Sequence, residues 1–177
     1  MTDVSKLLKE FQQTVPVNVE GFIRTVGADI NKNADLPEGI SGQVLRGGDG
    51  RYVVSTAGHE HYFRQRFTMA HELGHLLLHR SILDRAGGTD DNVKYRNTVD
   101  GNFYNSDIDL VHEQQANSFA ANLLMPADKV AEKLVALEKE GKRPSLKDMY
   151  RAFQVSASAM KWRLKSLGLS GRVEGGF

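Results

Sequence analysis

Apolar residues recur at helical spacing from the start of the chain. Val4, Leu7, Leu8 and Phe11 share one face, with Asp3 or Ser5 as a cap, so the spacing predicts a short amphipathic helix ending before Pro16. A second helix is predicted from about Asn18 through Phe22, Ile23 and Val26, closed by Gly27, whose missing side chain suits a left-handed terminal position. From Ala28 the period shortens. Ile30, residues 40–46 and residues 51–56 read as strands, the last two joined as a hairpin through Gly47-Gly48-Asp49-Gly50. Helical spacing returns over residues 64–79, where Leu73, Leu76 and Leu77 supply an apolar floor, and again after Asp107. There Ile108, Val111, Ala116, Phe119, Ala120, Leu123 and Leu124 form the buried face, and Met125-Pro126 ends the run. The intervening residues 81–106 are polar and irregular, with one short strand expected over residues 93–96. A further helix is predicted from Pro126 to about Glu140, and residues 145–167 read as helix, turn, helix, with Ser156 capping the second. The expected fold class is α+β: a small antiparallel sheet and helices over residues 1–140, then a helical appendage and loose tail over residues 141–177.

A chain of 177 residues, 40% hydrophobic, can bury one sizeable core and is too short for two full enzyme domains. The absence of cysteine removes disulfides, thiolate metal sites and thiol nucleophiles together, so any metal must be held by histidine and carboxylate. The N-terminal residues lack the basic and apolar regions of a signal peptide, and no apolar run reaches the roughly 18 residues of a membrane span. A cytoplasmic protein without membrane contact is expected. Between residues 142 and 172 eight basic side chains face one acidic residue, Asp148, a local charge of +7 that leaves −6 elsewhere in a chain of net charge +1.

The candidate chemistry centres on His71-Glu72-Leu73-Gly74-His75 in the predicted helix. Residues four apart lie on one helix face, so His71 and His75 can aim their imidazoles at a single zinc ion. Glu72 is rotated away from that face yet can lean over the open coordination position where water binds, so it reads as a base and not a ligand. His79 continues the series, but at about 1.5 Å rise per residue it lies roughly 12 Å along the axis from His71, too far to share the ion. It reads instead as a supporting or capping residue, suited to the negative helix end. His59 and His61 read as solvated loop residues. Arg64 and Arg66, at the unfavourable positive end of the helix, suggest contacts outside it with acidic groups of the fold.

A catalytic zinc takes a third protein ligand. On the following helix stand His112, Glu113 and Asn117; Glu113 could ligate, with His112 and Asp109 as rivals, and Asn117, four residues on, could orient a ligand. Ala116, Ala120 and Ala121 would let this helix approach the first closely. Tyr95, Arg96 and Tyr104 of the long polar segment are candidates for stabilising an oxyanion, and the pattern does not choose among them.

Residues 66–79, Arg-Phe-Thr-Met-Ala-His-Glu-Leu-Gly-His-Leu-Leu-Leu-His, followed by residues 113–126, Glu-Gln-Gln-Ala-Asn-Ser-Phe-Ala-Ala-Asn-Leu-Leu-Met-Pro, resemble the ImmA/IrrE family of metallo-endopeptidases. The resemblance implies a zincin-like fold with a gluzincin-type site: His71, His75 and Glu113 as zinc ligands, Glu72 as catalytic base, and Asn117 positioned behind the ligands. It also implies a partner. Family members are typically encoded beside a helix-turn-helix repressor that they cleave or inactivate, in mobile elements, phage-like immunity, stress responses or toxin–antitoxin pairs. The alternative is a non-catalytic regulator that keeps the fold and docks on a repressor or on DNA. In the basic C-terminal segment Ser158, Lys161 and Arg163 would face a DNA groove, but a helical pair packed on the protease through Leu146, Met149, Phe153, Val155, Met160, Leu164 and Leu167 is the preferred reading.

Overall fold

The computed structural model describes residues 4–85, 110–141 and 143–174. Helices α1 (Val4–Phe11) and α2 (Val19–Thr25) form where the apolar spacing places them, and Phe11 stacks on Phe22 at 4.8 Å between ring centroids. Asn18 caps α2 by accepting from the Gly21 N–H at 2.9 Å, and Gly27 takes the left-handed φ of 82°.

Strands β1 (Asp29–Ala34), β2 (Gly42–Arg46) and β3 (Tyr52–Ala57) make one sheet in the order β1-β3-β2. The hairpin of β2 and β3 is antiparallel, as its glycine-rich turn predicts, but β1 runs parallel to β3, so the sheet is mixed and not antiparallel throughout. The cause is topological. Residues 35–41 carry the chain across to the far edge, the hairpin then inserts β3 between the first two strands, and β3 must run opposite to β2 and therefore along β1.

Helix α3 (Tyr62–Leu78) packs across the sheet and is followed at once by α4 (Arg80–Arg85). The irregular segment expected from Ser81 thus begins as helix. Tyr52 on β3 fixes α4 by donating its hydroxyl proton to Asp84 at 2.6 Å. The strand expected over residues 93–96, the oxyanion candidates Tyr95, Arg96 and Tyr104, the cap Asp107, and Ile108 and Asp109 lie outside the described residues.

Helix α5 (Leu110–Leu124) lies against α3 more extensively than any other pair of elements meets among the described residues. Helix α6 (Ala127–Lys139) then leads to α7 (Leu146–Phe153) and α8 (Ala157–Ser166). Ser145 and Asp148 form a reciprocal capping box on α7, Gln154 turns the chain with a left-handed φ of 52°, and Ser156 caps α8 through the Ala159 N–H. This pair has helix-turn-helix shape. Its apolar residues Met149, Phe153, Val155, Met160 and Leu164 join one buried cluster with Met69, Leu73, Leu123, Leu124 and Leu134. The cluster continues to Phe22 and Val54.

Two arginines bind the C-terminal pair to the rest. Arg66, 5% exposed on α3, donates from Nη2 to the Val17 carbonyl at 2.8 Å and from Nε to the Gln154 carbonyl at 3.2 Å. Arg64 does find an acidic group, Glu60 at 3.0 Å, whereas Arg66 finds backbone carbonyls, because the turn after α7 and the residues before α2 meet over the start of α3. Arg163 turns inward to donate to the Met125 carbonyl at 2.8 Å, so it does not present itself to a groove. Arg66→Met is expected to destabilise the protein by about 2–4 kcal/mol, since two carbonyls lose a charged donor and stay out of water. Urea denaturation measures this, and a loss below about 0.5 kcal/mol, the size of a surface substitution, would exclude the role.

Candidate metal centre

Helix α3 starts at His61, whose ring Nδ1 accepts from the Phe63 N–H at 3.1 Å, so one of the two loop histidines is a cap. Three turns later α3 is buried on every side, and His71 (0% exposed), Glu72 (5%) and His75 (3%) lie in the interior. Buried polar groups need partners. They are found on α5.

His71 and His75 bring their Nε2 atoms to 3.0 Å from each other. Glu113 sets Oε2 at 3.1 Å from His71 Nε2 and Oε1 at 3.0 Å from His75 Nε2. One ligand atom from each of the three residues lies within 4.8 Å of the others, the convergence a small cation needs. His71 Nδ1 faces Asn117 Oδ1 at 3.0 Å. An amide oxygen only accepts, so this contact places the His71 proton on Nδ1 and leaves Nε2 with its lone pair toward Glu113.

The chemistry of this donor set fits a divalent cation. Glu113 Oε2 is buried and accepts no aligned hydrogen bond, although it lies beside an imidazole. A cation at the centre would satisfy it. Burial opposes the ionisation of Glu113, but hydrogen bonds and charge from His71 and His75 outweigh it and hold the carboxyl far below the ordinary carboxylate range when their Nε2 atoms carry protons; with those protons on Nδ1, a cation at the centre would take over that part. Glu113 is therefore a carboxylate at neutral pH, the form that ligates metal.

Glu72, 5% exposed, is not among the three converging ligands. Gly42 of β2 packs against it. A Cβ at Gly42 would stand 3.5 Å from Glu72 Cγ and 2.2 Å from Thr68 Cγ2, so only glycine lets the strand pass this close to α3. His112 stands outside the cluster, its ring edge-on to His79 at 4.7 Å between centroids, while Asp109 lies outside the described residues. His79 is the C-cap residue of α3, 4% exposed. Its Nδ1 meets His75 Nδ1 at 3.0 Å and its Nε2 meets Gln115 Oε1 at 2.8 Å.

Two helices thus supply a His-Glu-x-x-His pair and a distant carboxylate to one buried point, and the chain also matches the IrrE N-terminal-like domain model, Peptidase_M78, over residues 26–165. It belongs to that family. No curated protein sequence matches the chain. Membership in the IrrE N-terminal-like family makes this a metallopeptidase-type domain, and the eight helices and small mixed sheet among the described residues are the zincin-like architecture the resemblance implies. The match crosses from the strands into α8, so the family's domain includes the helical pair.

Three residues that matter here escape the motif. Gln115 carries no helical-spacing relation to Glu113 and is legible only once α3 and α5 are juxtaposed. Gly42 looks like a strand start. Gly74 left a signal: glycine inside a helix costs about 1 kcal/mol relative to alanine, so its place between Glu72 and His75 asks for a steric reason. A Cβ there would meet Ala116 Cα at 3.2 Å and the Ala116 carbonyl at 3.3 Å. Gly74→Ala is expected to lose about 1–2 kcal/mol net, overpacking of about 1–3 exceeding the propensity gain. Because the strain separates α3 from α5, metal affinity should fall as well. Competition with a chromophoric chelator checks this, with Glu113→Gln setting the scale of a lost ligand; wild-type affinity in Gly74→Ala would show that the close approach does not set the site.

Proposed function

We propose that this protein is a zinc-dependent endopeptidase that cleaves or inactivates a cognate helix-turn-helix repressor. The observation that carries the reading is the meeting of His71, His75 and Glu113 beside buried Glu72. Two imidazoles and one carboxylate, without thiolate, suit zinc with an open coordination position. Zinc, when bound, supplies a Lewis acid that acidifies water and polarises the scissile carbonyl. Glu72 takes the proton of the attacking water and returns it to the leaving amine. Asn117 holds the His71 ring, and Gly42 keeps strand β2 close to Glu72. Among the described residues no strand pairs with the other edge of β2, so a substrate in extended form can add there by backbone hydrogen bonds and lie beside the base.

Specificity for a repressor rests on docking. Arg163 is turned inward, but Lys161 and Lys165 flank Trp162, which is 70% exposed on α8, and Lys165 Nζ lies 5.3 Å from the centre of its ring. These residues and Ser170 line an open hollow of about 330 Å³. An exposed tryptophan framed by cations suits an acidic protein partner, for which aromatic and basic anchors carry most of the affinity. The same features support the second reading, a regulator that docks without cutting.

Co-incubation with the product of the neighbouring regulator gene, followed by intact-mass analysis, separates the two. A discrete cleavage is expected, and Glu72→Gln should slow it by about 10²–10⁴-fold or more while zinc stays bound, because only the proton carrier is lost. A repressor that stays whole yet leaves its operator, or a fully active Glu72→Gln in cells, favours docking alone. Trp162→Ala should weaken repressor binding about tenfold or more without changing zinc content. Salt-resistant, operator-specific DNA binding by the protein by itself would instead make α8 a DNA reader.

A further inference from the structure

We infer that Gln115 and His79 form a proton relay that fixes the tautomer of the ligand His75; the inference rests on the metal-site reading above. Every link is a short contact in the structure. Gln115 Oε1 lies 2.8 Å from His79 Nε2, and His79 Nδ1 lies 3.0 Å from His75 Nδ1.

Each link has one consistent proton. The amide oxygen of Gln115 only accepts, so His79 carries its proton on Nε2. A neutral imidazole protonated there has a lone pair on Nδ1, and that atom can only accept from His75. His75 is therefore protonated on Nδ1. Its Nε2, 3.0 Å from both His71 Nε2 and Glu113 Oε1, keeps the lone pair with which it ligates.

The relay matters because His75 has a competing choice. With its proton on Nε2 it could donate to the Glu113 carboxylate, a good charge-assisted hydrogen bond that would close the site to metal. The acceptor on His79 stabilises the open form. The Nδ1 of His71 is served directly by Asn117, whereas the Nδ1 of His75, one turn nearer the end of α3, meets an α5 amide only through an intervening ring. His79 thus acts through His75 and is a positioning residue, as is Gln115. Its burial at 4% keeps water from replacing the acceptor.

Gln115 is exposed, so Gln115→Leu can be made with little risk to folding. Zinc affinity, measured by chelator competition on the full chain, should fall about tenfold in Gln115→Leu and about 10–100-fold in His79→Phe. Gln115→Glu, whose carboxylate can only accept, should keep wild-type affinity or better. The double variant Gln115→Leu, His79→Phe should be no worse than His79→Phe, because both act along one chain of bonds. A purely structural cap would give unfolding losses without this rescue or this non-additivity. Long-range proton–nitrogen spectra of the metal-free protein should show His79 protonated at Nε2, with that preference lost in Gln115→Leu. A wild type that binds zinc while Gln115→Leu and His79→Phe bind it equally well overturns the relay alone, as does a His79 protonated at Nδ1. A wild type that binds no zinc overturns the metallopeptidase reading and the relay's purpose with it.

Discussion

The closeness of α3 and α5 is the constraint on which the site depends. Two ligands stand on one helix and the third on the other, and a carboxylate on a side chain of two methylenes cannot make up an added ångström of helix separation while keeping both contacts near 3 Å. Gly74 and Ala116 set that separation, because no Cβ stands on the α3 side and only a methyl group stands on the α5 side. Leu73, Met69, Ala120 and Leu123, all buried, fill the interface around them. The metal centre is thus a consequence of packing density, in which a missing methyl group at one position fixes the distance among three charged or polar groups at another.

That packing carries an electrostatic cost. His71, His75 and Glu113 are nearly excluded from water, and a lone buried carboxylate would take up a proton. A positive partner keeps it ionised, a cation at the centre or Nε2–H donors in its place, and the imidazoles keep their orientation because each has a partner on α5, Asn117 for His71 and Gln115 through His79 for His75. The helix that brings the third ligand also brings both orienting amides. One rigid-body contact between α3 and α5 therefore sets ligand positions and ring tautomers together, which explains how a site can be built from so few residues.

Much of this was legible in the sequence. That His71 and His75 share one face follows from helical spacing, and both N-terminal helices, the hairpin and the capped helices at Ser145 and Ser156 follow from apolar periods and cap residues that act within a few positions. What was not legible depends on contacts between distant segments. The parallel pairing of β1 with β3 is set by how residues 35–41 cross the sheet, which no local period encodes. Glu113 could not be separated from His112 and Asp109 by spacing, since the rotation of α5 about its axis decides which of them faces α3; the family resemblance pointed to Glu113. Arg66 looked like a partner for acidic groups because charge is visible in a sequence and a convergence of backbone carbonyls is not.

Arg163 and Arg172 also change how the basic C-terminal segment is to be understood. A local charge of +7 suggests a surface field, yet Arg163 has its guanidinium half buried against Met125, where burial lowers its pKa, and Arg172 is paired with Glu138 at 2.6 Å. Part of the charge is therefore structural, joining α8 and the segment after it to α5 and α6. Of the part left outward, Arg143, Lys147 and Arg151 are exposed elsewhere on the segment, while Lys161 and Lys165 flank Trp162. An exposed aromatic ring between two lysines offers a compact anchor for a protein partner. Since the same helix is held through Met125 to the end of α5, a partner seated on that anchor would rest on a rigid extension of the helix that carries Glu113.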